Sequence, residues 1–254
     1  MTITDIPVRP VPIGRPLRWL RLGWMDFRQA FWSSVMHGLA VALGGLAMLW
    51  TTVHDWHLLP GAMTGYVLVG PILATGLYAL SRSIETGQSP RLTDACSAWR
   101  CGTRPLLWLG ILLVLAGTGW VLMSAALFAL FVETPIDTPL GFLRFVVTQD
   151  DLVFSLWVVL GGLVAALVFG ATVVSAPLLL DREVDVRSAI VTSLRAVGES
   201  PAAMGLWAAI IMLATAVSMA TLMLGFVLAV PVIGHATWHA YRDVVDAQAL
   251  RPRP

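Results

Sequence analysis

Long apolar runs alternate with short polar segments along the chain, and six of the runs have about the length of a membrane span. A helix needs about 20 predominantly apolar residues to cross the hydrocarbon core of a bilayer. The last two runs share one apolar stretch, which we divide near residue 224 because residues 201–241 are too many for one tilted helix. The pattern predicts an all-α, polytopic membrane bundle with spans at about residues 33–53, 62–80, 106–132, 152–180, 202–223 and 226–241.

Short amphipathic segments precede the first, third and fifth predicted spans. In the first segment, apolar residues recur at three- and four-residue spacing while arginines fall mainly on other faces. Similar segments occupy residues 92–99 and 186–197. We predict that these segments form short helices on the cytoplasmic membrane surface. The apolar positions of the first segment are Leu17, Leu20, Trp24, Phe27 and Phe31, and its arginines are Arg18, Arg21 and Arg28.

The second, fourth and sixth predicted spans, which return to the side of the N-terminus and are called the descending spans, each carry a proline after a small or apolar residue. These prolines are Pro71, Pro177 and Pro231. Together with the amphipathic segments, these prolines predict three repeated hairpin units, each with a surface helix, an ascending span and a kinked descending span. Interrupted helices at corresponding places can mark a substrate path, as in transporters. We favour ordinary kinks, in which neighbouring helices satisfy the freed carbonyls, because membrane helices tolerate proline routinely.

The distribution of arginine predicts the orientation. All sixteen basic residues are arginines, and only Arg144 lies on the side of the predicted membrane opposite the termini. By the positive-inside rule, both termini are cytoplasmic. The absence of Lys and Asn, whose codons are AT-rich, indicates a bacterium with a GC-rich genome, so we expect an inner-membrane protein. The predicted parts are a flexible cytoplasmic tail at 1–15, a single membrane domain at 16–245 and a C-terminal tail at 246–254.

The composition excludes several classes of protein. Hydrophobic residues make up 57% of the chain and charged residues 12%, with a mean hydropathy of +0.80. Soluble domains carry about 25% charged residues, so a soluble enzyme and a disordered chain are excluded. A net charge of +1 gives no field that would attract nucleic acid. We expect the lipid bilayer as a partner, together with another membrane protein or a second copy of the chain.

Residue types within the spans indicate close packing. Small residues form one stripe at Gly162, Ala166 and Gly170 and another at Gly38 and Ala42, which lets helix backbones approach. We expect both stripes to pack within the bundle, with a homodimer seam as the alternative. No charged residue lies deep within the predicted spans, which argues against a proton-driven pump because such pumps usually carry intramembrane ionisable residues.

Three histidines are candidate ligands. His235 and His239 are four residues apart and share a helix face, and His37 is expected at a similar depth. Such histidines can hold a metal or haem, but no Cys, Asp or Glu within the spans completes a ligand set. Ala236 stands where the zinc-protease pattern requires Glu. We therefore expect these histidines to bond to carbonyls or to lie at the headgroup boundary, with a metal or haem site as the alternative.

Two further clusters lie in predicted loops. One holds two histidines and a carboxylate that could bind a divalent ion, although a short polar turn is the default between spans. The other holds two cysteines whose spacing matches no zinc motif, so we expect free thiols. We find no enzyme motif and predict no catalytic residue and no cofactor. The histidine cluster consists of His54, Asp55 and His57, and Glu133 or Asp137 could supply a further ligand. The cysteines are Cys96 and Cys101.

Three stretches carry a family resemblance: residues 70–78 continuing to Ser81, Arg82 and Glu85, residues 175–182, and residues 234–242. With them the chain resembles an uncharacterised family of bacterial six-span membrane proteins, known only as a domain of unknown function. Members are sometimes labelled as resembling cytochrome c oxidase subunit I. An oxidase core of that kind needs six histidine ligands, and the chain has five histidines in all. The resemblance therefore implies no activity, and at most an accessory role in a respiratory complex.

The cytoplasmic ends of the three descending helices are expected to converge. Charges at this depth are costly unless paired, so we predict a salt-bridged collar that locks the bundle, with partner docking or pore closure as the alternative. We further expect Asp243 to lie beside the collar. The predicted function is a non-enzymatic scaffold, accessory or assembly factor, and the alternative is a small-solute channel or transporter without an intramembrane carboxylate relay. The collar residues are Arg82, Glu85, Asp181, Arg182, Tyr241 and Arg242.

The predicted orientation can be tested by labelling single cysteines from the periplasmic side. We expect a cysteine at position 137 to react with an impermeant thiol reagent, and one at position 190 to stay unlabelled until the membrane is opened. The reverse pattern would contradict the orientation.

Overall fold

The computed structural model describes residues 6–52, 58–95, 103–131, 144, 152–248 and 250–253, and within them it contains helices and no β-strand beyond isolated bridges. The main helices are α1 (Arg15–Gln29), α2 (Phe31–Thr52), α3 (Leu59–Leu68), α4 (Gly70–Leu73), α5 (Thr75–Glu85), α6 (Arg104–Phe131), α7 (Leu152–Thr172), α8 (Ser175–Asp181), α9 (Val186–Glu199), α10 (Pro201–Ala220) and α11 (Phe226–Val244).

Four helical segments are long and apolar enough to cross a membrane: Phe31–Thr51, Arg104–Phe131, Phe154–Asp181 and Pro201–Ala220. The remaining two predicted spans differ from these four. The span at 62–80 is divided among α3, α4 and α5, and the span at 226–241 is part of α11, whose second half carries several polar residues. The chain is thus all-helical with four candidate spans among the described residues.

Two of the three prolines coincide with helix breaks. Proline removes a backbone donor and clashes with the carbonyl four residues earlier. The helix ends at Val69, just before Gly70-Pro71, and it ends again at Val173, four residues before Pro177. Pro231, in contrast, lies inside the continuous helix α11. The three predicted units therefore differ at their prolines.

Side chains from other helices bond to backbone groups at these breaks. The His37 ring nitrogen Nε2 lies 2.7 Å from the Leu73 carbonyl oxygen, next to the break between α4 and α5. The Ser193 hydroxyl oxygen accepts the Val174 N–H at 3.1 Å, at the break between α7 and α8. Such bonds make a broken helix tolerable in an apolar environment, which favours the ordinary kink over a substrate path.

Helix α11 is packed closely by its neighbours α1, α2 and α5. A Cβ atom at Gly38 would lie 2.4 Å from the Val227 carbonyl oxygen, and one at Gly23 would lie 2.6 Å from the Ala236 nitrogen. Glycine is therefore required where α1 and α2 cross α11. The stripe at Gly38 and Ala42 packs within the bundle as expected, since Ala42 is also buried.

The second small-residue stripe does not pack within the chain along its full length. Gly162 and Ala166 are exposed, and no atom lies within 4 Å of a Cβ built at Gly162. Only Gly170 is buried, against Leu194. The expectation that this stripe packs inside the bundle is therefore wrong for its first two members, because α7 turns them away from the other described helices.

Helix α1 packs against α11 with the face that carries Gly23, and Phe27 of its predicted apolar stripe is also buried. Its buried residues include Trp19, Gly23 and Asp26, which face α11, whereas Leu17 and Trp24 stay exposed. The small side of Gly23 allows the close approach to α11, and Asp26 finds polar partners there. Helix α1 is thus part of the bundle and is not held by its apolar stripe alone.

The turn between α10 and α11 divides the last apolar stretch. It occupies residues 221–225, at the place where the sequence pattern was divided. Leu222 and Met223 have φ values of 51° and 69°, which are unfavourable for residues with a Cβ. Met223 is completely buried against α2 near Gly45, and this packing offsets the backbone strain.

Both described chain ends dock on the charged end of the bundle. The Arg9 N–H donates to the Val244 carbonyl at 2.8 Å, and the Asp246 N–H donates to the Pro7 carbonyl at 3.0 Å. The Arg253 N–H donates to the Asp181 carbonyl at 2.9 Å. The N-terminal segment before α1 is therefore bonded through its backbone to the C-terminal segment.

The packing at Gly38 predicts a stability difference between two matched variants. Gly38→Ala forces a methyl group against the Val227 backbone, and such overpacking costs about 1–3 kcal/mol. Gly162→Ala meets open space and gains helix propensity. In a thermal melt in detergent, we expect Gly38→Ala to lower the Tm by about 3 °C or more and Gly162→Ala to leave it unchanged or higher. Equal shifts would contradict the packing described here.

Candidate functional site

A buried histidine joins three helices near the charged end of the bundle. His235 of α11 is 0% exposed. Its Nε2 lies 2.9 Å from the Ser34 Oγ of α2, and its Nδ1 lies 2.7 Å from the Ser81 Oγ of α5. Both ring nitrogens are therefore already occupied by hydroxyl groups.

The network continues from Ser81 to an acidic residue. The Ser81 hydroxyl donates to Asp26 Oδ2 at 2.7 Å, and His239 Nε2 lies 2.9 Å from the same oxygen. Asp26 is only 7% exposed. We define Ser34, His235, Ser81, Asp26 and His239 as the polar network.

Counting donors assigns a direction to these hydrogen bonds. A serine hydroxyl has one proton, and Ser81 gives its proton to Asp26. Ser81 must therefore accept the Nδ1–H of His235, which leaves Nε2 of that ring to accept the Ser34 hydroxyl proton. His235 is then the neutral Nδ1–H tautomer, an assignment made from the hydrogen-bond pattern.

His37 lies beside the network but has a different partner. Its Nε2 contacts the Leu73 carbonyl, and its Cε1 would lie 2.8 Å from a Cβ at Gly76. Among the described residues, no group of three or more His, Cys, Asp or Glu side chains could hold a metal ion. The candidate ligands His37, His235 and His239 therefore form no metal-ligand set in the described chain.

The collar residues are brought together around one carboxylate. Asp181 is buried at the end of α8 and accepts the Tyr241 hydroxyl at 2.7 Å. The Arg182 Nε lies 2.9 Å from it, the Arg82 Nε 3.5 Å and the Arg242 Nη1 3.7 Å. Three guanidinium groups thus compensate one buried negative charge, which would be costly alone.

A second carboxylate extends the collar. Glu85 receives Arg242 Nη2 at 2.8 Å and Trp238 Nε1 at 2.9 Å. Asp243 lies elsewhere: it pairs with Arg15 at 3.3 Å and accepts Trp19 Nε1 at 2.9 Å. The expectation that Asp243 lies beside the collar is wrong, because α1 occupies that side of α11.

Backbone groups of the C-terminal segment complete the collar. Arg182 Nη1 donates to the Leu250 carbonyl at 3.0 Å, and Arg82 donates to the Arg253 carbonyl. The collar therefore fastens the C-terminal segment as well as the helix ends.

Asp26 is the member of the polar network that sequence reasoning missed. It precedes the first apolar run and stands among arginines, so it reads as one charge of a surface helix. A usable signal was present: Trp19, Gly23, Asp26 and Ala30 share one face at three- and four-residue spacing. A small residue and an aromatic residue on the same face as a lone acid indicate helix packing.

Several sequence candidates cannot be placed. The loop clusters His54, Asp55 and His57, the acids Glu133 and Asp137, and the cysteines Cys96 and Cys101 all lie outside the described residues.

A channel or transporter would need polar groups that line a continuous path, but three hydroxyl residues of the predicted spans bond within their own helices. The hydroxyls of Thr75, Ser175 and Thr237 donate to carbonyls one turn earlier, at 2.8, 2.6 and 2.8 Å. An open groove of about 330 Å³ between α2, α3 and α6 is lined mainly by apolar residues such as Met48 and Val121. Its lining includes none of the three hydroxyl residues.

An all-helical chain with four helices of membrane-spanning length and composition, and with its polar network and collar paired inside the bundle, is an integral membrane protein. Residues 58–181 match the family described as "Predicted integral membrane protein (DUF2189)". The match covers α3 to α8, and so includes the first stretch of the family resemblance and the second as far as Asp181, while α1, α2, α9, α10 and α11 lie outside it. No curated protein and no solved structure matches the chain.

The polar network predicts that Asp26 contributes more to the stability of the protein than an acidic residue on the surface. Asp26→Ala leaves the Ser81 hydroxyl and the His239 ring without their common acceptor, which should cost roughly 2–4 kcal/mol. The control is Asp246→Ala, because Asp246 forms an exposed pair with Arg9, and such pairs contribute little.

We expect Asp26→Ala to lower the Tm in detergent by at least about 5 °C, and Asp246→Ala to change it by about 1 °C at most. A shift for Asp26→Ala no larger than that of the control would show that the network does not hold the helices.

Proposed function

We propose that the protein is a non-enzymatic scaffold, accessory or assembly factor of a bacterial inner membrane. The observation that carries this proposal is that the central polar groups are buried and already hydrogen-bonded within the protein. The side chains of the polar network bond to one another, and those of the collar bond to one another and to backbone carbonyls. Their central residues His235, Asp26 and Asp181 are buried. A catalytic or transport site would instead need polar groups directed at an open space.

We further propose that the chain crosses the membrane six times with both termini in the cytoplasm. Antiparallel packing supports this count. The broken helix α3–α5 runs along α6 from Gly61 near Ser124 to Ile72 near Gly110. Helix α11 runs along α2 from its start near Gly45 to His235 beside Ser34. Both described chain ends also lie at the same end of the bundle, as an even number of crossings requires.

The outward surface of the long helices supports a role in binding other membrane proteins. Helix α10 is the least buried of the four candidate spans, and Met212, Leu213 and Val217 are all more than half exposed. In a bilayer this face contacts either lipid or a second membrane protein. A scaffold or assembly factor would use such a face to hold a subunit, and the family label directs the search to respiratory complexes.

A photo-crosslinking experiment in native membranes tests the scaffold role. A benzophenone amino acid is placed at Leu213, which is exposed, and at Met204 of the same helix, which is buried and serves as the control. We expect a crosslinked adduct with another membrane protein from position 213 and none from position 204. Mass spectrometry of the adduct names the partner.

Transport assays and an optical spectrum of the purified protein give the results that would overturn the proposal. An adduct-free protein that purifies alone and conducts a small solute in proteoliposomes would be a channel or transporter. A Soret band in its optical spectrum would indicate haem at His235 or His239, and its loss in the His235→Phe variant would locate it.

A further inference from the structure

The outward face of α1 carries three arginines that have no ion-pair partner among the described residues. Arg18, Arg21 and Arg28 are exposed, whereas Arg9 and Arg15 at the same end of the bundle pair with carboxylates. At about 100° per residue, Arg21 and Arg28 fall on the side of α1 opposite Gly23 and Asp26, and Arg18 lies at the flank between the two sides. They form a positively charged strip that the fold leaves unused.

A continuous row of aromatic rings runs beside this strip. Trp24 stacks on Phe27 with ring centres 5.3 Å apart, Phe27 contacts Phe31 at 5.5 Å, and Phe31 contacts Trp32 at 5.2 Å. Trp24 is 44% exposed and Trp32 is 76% exposed. The row leads from α1 directly into the candidate span Phe31–Thr51.

We infer that this face of α1 is a binding surface for anionic phospholipid headgroups. Arginine binds phosphate oxygens through several N–H donors at once, and aromatic side chains are enriched where a span meets the headgroup layer. The aromatic row continues into the span, so it holds the neighbouring arginines close to headgroup depth. An acidic protein would match the charge of the strip but would not explain why the aromatic row joins the strip to the span.

The inner face of α1 explains how the surface is held in place. Asp26 belongs to the polar network, Trp19 donates a hydrogen bond to Asp243 of α11, and Arg15 forms an ion pair with the same carboxylate. These bonds fix the rotation of α1 about its axis, so the charged strip is directed outward before any lipid binds. Such preorganisation lowers the entropic cost of binding.

The test compares two variants with equal charge change. One is the triple variant Arg18→Gln, Arg21→Gln, Arg28→Gln, and the control is Arg91→Gln, Arg187→Gln, Arg251→Gln, which removes three exposed arginines elsewhere. Each full-length protein is titrated in detergent with phosphatidylglycerol or phosphatidylcholine, and bound lipid is counted by native mass spectrometry. Tm values in detergent alone establish that both variants are folded.

The wild type should bind phosphatidylglycerol more tightly than phosphatidylcholine. A basic residue near an anionic membrane surface is worth about 1 kcal/mol, or roughly five-fold in affinity. We therefore expect the α1 triple variant to bind phosphatidylglycerol at least about ten-fold more weakly, and the single variant Arg21→Gln about five-fold more weakly. The control should keep most of its affinity, and 0.5 M salt should weaken wild-type binding (about three times physiological ionic strength).

Several outcomes would overturn the inference. These are equal binding of both lipids by the wild type, unchanged phosphatidylglycerol binding in the α1 variants, or an equal loss in the control. Displacement of the lipid by glycerol phosphate would assign the site to free phosphate. Loss of a co-purifying acidic protein at unchanged lipid binding would assign the surface to a protein partner. None of these outcomes depends on the scaffold role.

Discussion

Polar groups inside an apolar bundle must be paired, and this requirement determines how the helices meet around α11. An unpaired buried polar group costs several kcal/mol when neither water nor a neighbour can satisfy it. His235 is completely buried on α11 and has two ring nitrogens to satisfy. Ser34 on α2 and Ser81 on α5 provide the two partners. One side chain therefore specifies the rotation and the depth of three helices relative to one another.

The same requirement explains why the collar encloses the C-terminal segment. Asp181 lies at the end of α8, where its charge would face the apolar interior without the surrounding guanidinium groups. Those groups have more donors than the carboxylate can accept, and the excess is taken by backbone carbonyls such as that of Leu250. A segment that carries no large apolar run is in this way held against the bundle. The charges act together with the burial of Val245, Ala247 and Leu250 in the apolar core.

Features that depend on apolar runs could be predicted from the sequence more fully than features that depend on polar contacts. Apolar runs depend on composition over about 20 residues, so the membrane class and the positions of α2, α6 and α10 could be predicted. The collar residues could be chosen because charge at a predicted membrane boundary demands partners. Asp26 was missed because it stands among arginines before the first apolar run. The face it shares with Trp19 and Gly23 indicates helix packing, but not that Ser81 and His239 are its partners. The exposed position of Gly162 likewise depends on which helices surround α7, and a small-residue stripe is the same pattern in either case.

The position of Asp26 also weakens one reason for excluding a proton pump, namely the absence of charged residues from the predicted spans. A carboxylate does reach the buried histidine through Ser81, so the interior is not free of ionisable groups. The described hydrogen bonds nevertheless run from Ser34 to Asp26 and meet His239 on the same carboxylate oxygen. Asp26 lies on α1, Ser81 on α5 and His239 on α11, so one carboxylate oxygen connects three helices. A network that converges on one acceptor is suited to holding helices together, as the paired charges of the collar are at the helix ends.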